Sequence, residues 1–141
     1  MKLYLDTNVF LSATESTDPF HKIALQLFES LEEQKNTATT SVETFQEIVY
    51  VAKRLKKLSL GIELCRQLLH LIPDPLAIDQ PVLDEFLSLV AKFSRLDTRD
   101  CLHLAVCIEC KIPYLITEDV DLRKSDIPNL KIISIKQALE I

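Results

Sequence analysis

Four acidic side chains stand in short motifs spread along this chain: Asp6 in LYLDTN, Glu47 in ETFQEIVYV, Asp100 in TRDCLHLA and Asp119 in LITEDVD. Carboxylates brought together repel. Two of them about 5 Å apart cost roughly 3 kcal/mol at an effective dielectric of 20. A cluster of four persists only if it is protonated or bridged by cations. Oxygen donors select hard ions, Mg²⁺ or Mn²⁺, over zinc or copper. A divalent cation held there, beside helix N-termini that attract phosphate, could activate water against a phosphodiester.

The elements that must position these acids are legible in outline. Residues 2–5 (KLYL) read as a first strand ending at Asp6. Asp18-Pro19 reads as an N-cap with proline at the first helical position, opening a helix with Ile23, Ala24, Leu27, Phe28 and Leu31 on one face. A short strand is expected over 36–39. Thr40 with Glu43 forms a capping-box pattern for a helix burying Phe45, Ile48, Val49, Ala52 and Leu55. Further helices are expected over 58–71 and from Pro81, the latter with Leu83, Phe86, Leu87, Val90 and Phe93 inward. Ile72-Pro73-Asp74-Pro75 makes the turn between them. Asp97 or Thr98 caps a helix running to about Cys110 that is apolar almost all round and therefore buried. Strands over 114–116 and 131–135 and a short terminal helix complete the pattern.

Short apolar strands alternating with amphipathic helices indicate a parallel α/β protein. The expected architecture is a three-layer α/β/α arrangement with a central, mostly parallel sheet of four or five strands, in one domain over residues 1–141. In such a sheet strand C-termini and helix N-termini share one edge, where ligands bind. Asp6 and Asp119 follow strands. Glu47 lies in the second turn of one helix and Asp100 in the first turn of another. Topology therefore sends all four to the same edge.

Composition removes other chemistries. The single glycine, Gly61, leaves no phosphate-cradling loop and no dinucleotide fingerprint. No G-x-S-x-G elbow exists for a serine hydrolase. Asp6-Thr7-Asn8 is not the D-x-D that a phosphatase with an aspartyl nucleophile needs. No serine or cysteine has an obvious base partner. Four cysteines without a second CxxC or CxxH read as free, buried thiols. The net charge of −5 argues against a nucleic-acid binder, but one divalent cation brings it to −3 and two bring it to −1. No segment is long and apolar enough to span a bilayer, and MKLYLDTN does not read as a signal peptide, so the expected compartment is the cytosol.

Each candidate has a plainer reading. Asp6 could be the N-cap of a short following turn, Asp100 a first-turn acid complementing the helix dipole, and Asp97 a cap or surface residue. Glu43 competes with Glu47 but is explained by the capping box. His103, between Leu102 and Leu104, reads as a satisfied core or edge histidine. His21 and His70 show no partner signal, and Tyr4 reads as strand core. Lys53, Arg54, Lys56 and Lys57 form a basic run that is either a solvated face or a phosphate-contacting rim.

Taken in order and spacing, LDTN, QEIV, DxxHLA and LITED resemble a PIN domain over nearly the whole chain, from Met1 to about Ala138. The resemblance implies a central parallel sheet between helices and divalent-metal-dependent ribonuclease activity. Asp6, Glu47, Asp100 and Asp119 then correspond to the catalytic, metal-binding acids. Asn8 and Thr117 correspond to polar helpers, and Asp121 to an additional acid. Lys53, Lys57 and Arg99 are the candidate RNA contacts. Many small members resemble the toxin half of VapBC-type toxin–antitoxin pairs, which implies an antitoxin partner and a homodimer. The expected activity is Mg²⁺- or Mn²⁺-dependent endoribonucleolytic cleavage by water, leaving 5′-phosphate and 3′-hydroxyl ends. The alternative is a non-catalytic RNA-binding or assembly module on the same scaffold.

Overall fold

Four parallel strands in the order β2-β1-β3-β4 form the centre of the molecule. A computed structural model describes residues 1–33 and 36–141. The strands are β1 (Lys2–Leu5), β2 (Thr37–Thr39), β3 (Tyr114–Ile116) and β4 (Lys131–Ile133). The helices are α1 (Thr7–Thr14), α2 (His21–Glu32), α3 (Val42–Arg54), α4 (Leu58–Leu71), α5 (Gln80–Lys92), α6 (Thr98–Glu109), α7 (Val120–Arg123) and α8 (Ile135–Ala138).

Strand pleating divides the core in two. Leu3, Leu5 and Ile116 face a cluster with Val9, Phe10, Leu27, Ile48 and Ile135. Tyr4 and Leu115 face the opposite cluster, with Leu104, Ala105, Val106 and Leu122. Successive side chains point to opposite faces, so a strand with helices on both sides is apolar at every position. This is the three-layer α/β/α arrangement expected from the sequence.

From β1 the chain crosses to β2 on one side, then returns through α3 to α6 and enters β3 on the other side. The crossover direction reverses between β1 and β3, the kind of switch point beside which parallel α/β sheets bind ligands. Asp6 follows β1 directly, and its N–H donates to the Ile116 carbonyl of β3 at 3.0 Å.

Several local expectations give way to specific contacts. Asp6 caps an eight-residue helix, α1, that the strand-and-motif reading did not contain. Helix α2 begins at His21 rather than Pro19; Asp18 instead accepts from the Phe20 N–H at 2.7 Å and closes the turn before it. The Thr40–Glu43 capping box is absent, because Ser41 holds the N-cap position of α3. The Thr40 hydroxyl donates to the Leu5 carbonyl and shares a hydrogen bond with Thr44. Leu55 is exposed, since α3 ends at Arg54 and Lys56, at φ 56°, turns the chain off the helical repeat. Leu83 and Leu87 are exposed because Val82 and Leu89, seven residues apart, define the buried stripe of α5. The final strand stops at Ile133, since Ser134 caps α8 with a capping box to Gln137.

Candidate metal centre at the sheet edge

Thr7 links two of the acids. Its backbone N–H donates to Asp6 Oδ1 at 2.7 Å, the N-cap bond of α1. Its hydroxyl donates to Glu47 Oε2. Glu47 lies in the second turn of α3, on the face that also buries Thr44 and Ile48, and so arrives beside the end of β1. Its other oxygen, Oε1, lies 3.0 Å from His103 Nε2.

A second set of donors fixes Asp6. The Thr117 hydroxyl, immediately after β3, donates to Asp6 Oδ2 at 2.7 Å. Asn8 Nδ2 donates to the same oxygen at 3.1 Å and to the Thr117 hydroxyl at 2.9 Å. The Asn8 side-chain oxygen accepts the Glu118 N–H at 3.3 Å. Asn8 and Thr117 thus both donate to the same oxygen of Asp6.

Asp119 caps α7 by accepting the Leu122 N–H on Oδ1 at 2.8 Å, and its own N–H donates to the Thr117 hydroxyl at 3.1 Å. Asp100, in the first turn of α6, is mostly buried. Burial, then the charges of Asp6 and Asp119, push its carboxyl up to about 7. Burial would raise Glu47 as well, but the hydrogen bond from His103, the His103 charge and the Thr7 hydroxyl outweigh it and hold Glu47 below the usual value. Glu43, one turn before Glu47, is raised by burial and by Glu47. With its capping role absent, it is a half-buried acid on the flank of the cluster.

Among the described residues no lysine or arginine pairs with Asp6, Glu47, Asp100 or Asp119. The negative charge is oriented by neutral donors and one histidine and is not cancelled by a fixed cation. Asp6, Glu47 and His103 bring ligand atoms within 4.8 Å of one another, close enough to share an ion. Asp100 feels the charges of Asp6 and Asp119, though neither it nor Asp119 belongs to that close trio. A donor set of carboxylate oxygens fits a hard divalent cation. Asp121, by contrast, is exposed in the first turn of α7.

The candidate RNA contacts lie elsewhere. Lys53 is in the last turn of α3, the end remote from the acids, and Lys57 precedes α4. Arg99 stands next to Asp100, but its guanidinium forks onto Asp97 through Nε and Nη2, both at 3.1 Å.

The sequence reading placed His103 in the core and missed its contacts. It is fully buried and fully bonded: Nδ1 meets the Tyr4 hydroxyl, and Nε2 meets Glu47 with Asp6 Oδ1 at 3.6 Å. Burial lowers its pKa, but the Glu47 bond and the Asp6 charge more than offset this and leave it raised. The available signal was its spacing. Three residues after Asp100 on a helix, it shares the Asp100 face one turn deeper. Thr7 was missed because its neighbours in the motif carried more obvious chemistry.

The fold and site define a parallel α/β protein with clustered carboxylates at its strand-order switch point. The family model described as PIN domain matches residues 3–128, and the chain belongs to that family. Solved structures share the fold. VapBC2 from Rickettsia felis, bound to a DNA fragment from its promoter, has a TM-score of 0.72 at 19% identity, covering 95% of this chain and 98% of that one. VapBC-1 from nontypeable Haemophilus influenzae has a TM-score of 0.72 at 16% identity, covering 96% and 99%. Mycobacterium tuberculosis VapC20, described as a Sarcin-Ricin loop cleaving toxin, has a TM-score of 0.72 at 14% identity, covering 85% and 92%. No curated protein is significantly similar to this chain.

Proposed function

We propose that this PIN domain is a divalent-metal-dependent endoribonuclease, with Mg²⁺ or Mn²⁺ held by Asp6, Glu47, Asp100 and Asp119. The observation that carries this reading is the Asp6–Thr7–Glu47 cluster, whose carboxylates converge on neutral donors and His103, with no lysine or arginine paired to them among the described residues. A cation bound there supplies Lewis acidity and stabilises charge developing on phosphorus oxygens. The chain's own part is orientation: Thr7, Asn8 and Thr117 hold Asp6, and Thr7 with His103 holds Glu47. Burial and the charges of Asp6 and Asp119 hold the Asp100 carboxyl up to about 7, and a bound cation would offset that repulsion.

Solved neighbours include a toxin–antitoxin complex from Klebsiella pneumoniae and a member of the VapBC family of toxin–antitoxin systems, and this supports a toxin reading for the chain, with an antitoxin partner. A groove of about 500 Å³ between α1, α3 and α4 is lined by the apolar Leu11, Ile48, Val51 and Leu64, and by three acids, Glu15, Asp18 and Glu63, against one base, Lys57. Its chemistry suits an amphipathic helix with basic edges. A homodimer belongs to the same reading and is checked by light scattering.

The test is cleavage of single-stranded RNA with Mn²⁺, comparing the unsubstituted chain with Asp6→Asn. Loss of about 10²-fold or more is expected, since the variant keeps shape but loses a charged ligand. Equal cleavage by both proteins removes Asp6 from the site. Tight RNA binding without metal-dependent cleavage points instead to the non-catalytic module.

A further inference from the structure

Behind the acids a line of buried polar groups runs through the upper layer of the core. Ser41, Tyr4 and His103 have no exposed surface. The Tyr4 hydroxyl lies 2.7 Å from Ser41 Oγ and hydrogen-bonds His103 Nδ1. The far ring nitrogen, Nε2, lies 3.0 Å from Glu47 Oε1. Tyr4 belongs to β1, Ser41 and Glu47 to the start of α3, and His103 to α6, so the line ties three elements to one carboxylate.

The proton positions follow from the contacts. A ring nitrogen and a carboxylate oxygen at 3.0 Å would repel if both presented lone pairs, so Nε2 carries the hydrogen and donates. The Tyr4 hydroxyl both donates and accepts, so it satisfies Nδ1 in either protonation state while sharing its second bond with Ser41. A nitrogen whose lone pair is taken by a proton does not coordinate a cation. Glu47 then has both oxygens clamped, Oε2 by Thr7 and Oε1 by His103. A glutamate with three rotatable bonds, facing another carboxylate, needs such a clamp to stay turned inward.

We propose that His103 is a positioning residue, held by Tyr4 and Ser41, that fixes the Glu47 carboxylate by donating from Nε2, and that it is not a ligand of the cation. The proposal rests on the cation-site reading above. It separates His103 from Asp6 and Glu47, although all three stand close enough to share an ion.

The test uses Mn²⁺ as the probe. Protein labelled with ¹⁵N-histidine is loaded with Mn²⁺ and examined by pulsed electron paramagnetic resonance. No coupling of directly coordinated imidazole nitrogen is expected; such a coupling overturns the proposal. Mn²⁺ affinity is then titrated in His103→Leu, His103→Gln and Tyr4→Phe, with melting in EDTA as the control for folding. Loss of the donor in His103→Leu, or of the ring's anchor in Tyr4→Phe, should weaken Mn²⁺ binding about 10- to 100-fold. His103→Gln, whose amide can donate from nearly the same point, should restore most of it. Unchanged affinity in folded His103→Leu and Tyr4→Phe overturns the positioning role alone. Absence of Mn²⁺ binding in the unsubstituted protein overturns the cation-site reading and this proposal with it. If His103→Leu does not fold, Tyr4→Phe, which removes a single oxygen, and the nitrogen coupling of the unsubstituted protein decide.

Discussion

Thr117 accepts two hydrogen bonds and donates one: it takes the Asn8 amide and the Asp119 N–H and gives its proton to Asp6. One hydroxyl thus sets the spacing between the end of β1 and the end of β3. Replacing it by valine keeps the volume and leaves Asp6 Oδ2 with only the Asn8 bond. Thr117→Val should lower metal affinity or cleavage about 10- to 100-fold with little change in the far-ultraviolet dichroism; titration of Mn²⁺ checks it. Arg99 shows the opposite economy. Its fork to Asp97 occupies the guanidinium on the surface, and surface pairs contribute about 0–1 kcal/mol, so Arg99 can exchange Asp97 for a phosphate at small cost. Lys53 and Lys57, at the far end of α3, are remote from the acids. Reversing their charges should flatten the salt dependence of RNA binding only if substrate wraps that far; an unchanged slope removes them from the substrate path.

At the scale of elements, the contact between α3 and α4 rests on the chain's only glycine. A Cβ built on Gly61 would stand 2.3 Å from the Ala52 Cβ, so the two helices cross where only a hydrogen fits. Alanine would gain about 1 kcal/mol in helix propensity. Overpacking in a helix crossing costs typically 1–3 kcal/mol, and with both neighbours being backbone-borne Cβ atoms the crossing must widen. Gly61→Ala should therefore be destabilising by about 1 kcal/mol net in urea unfolding. Because the added Cβ would also lie 3.6 Å from the carbonyl of Ile48, the residue after Glu47, a widened crossing should also weaken cation binding.

At the scale of the molecule, the acidic cleft couples folding to pH. Asp100, with an ordinary value of 3.8, is held up to about 7 in the fold. Between those values the folded state binds the proton and the unfolded state does not, so stability of the cation-free protein falls as pH rises through that window. Below it the effect vanishes, and above it the full cost of the charge is present. Glu47 works the other way: held low, it contributes stability above its unfolded value and loses it as pH falls. Melting in EDTA should thus show a midpoint lower near pH 8 than near pH 5. Added Mn²⁺ should raise the midpoint most at the higher pH, because binding to the folded state alone is stabilising.

Read by itself, the amino-acid order determined the layer architecture and the parallel sheet, because strand and helix periodicities and chain direction are local properties that topology converts into position. Of the four acids it sent to one edge, Asp6 and Glu47 bring ligand atoms within 4.8 Å of each other and of His103. The order did not reach α1, whose eight residues show little amphipathic contrast, nor the true cap of α3, where Thr40 is drawn away by the Leu5 carbonyl. The exposed faces at Leu83 and Leu87 were set by where α6 lies, which no periodicity in α5 alone records. Only the tertiary structure decided that His103 and Tyr4 stand behind Glu47. Their partners come from sequence separations of 56 and 99 residues, and a hydrogen bond forms between whichever buried donors and acceptors packing brings within reach.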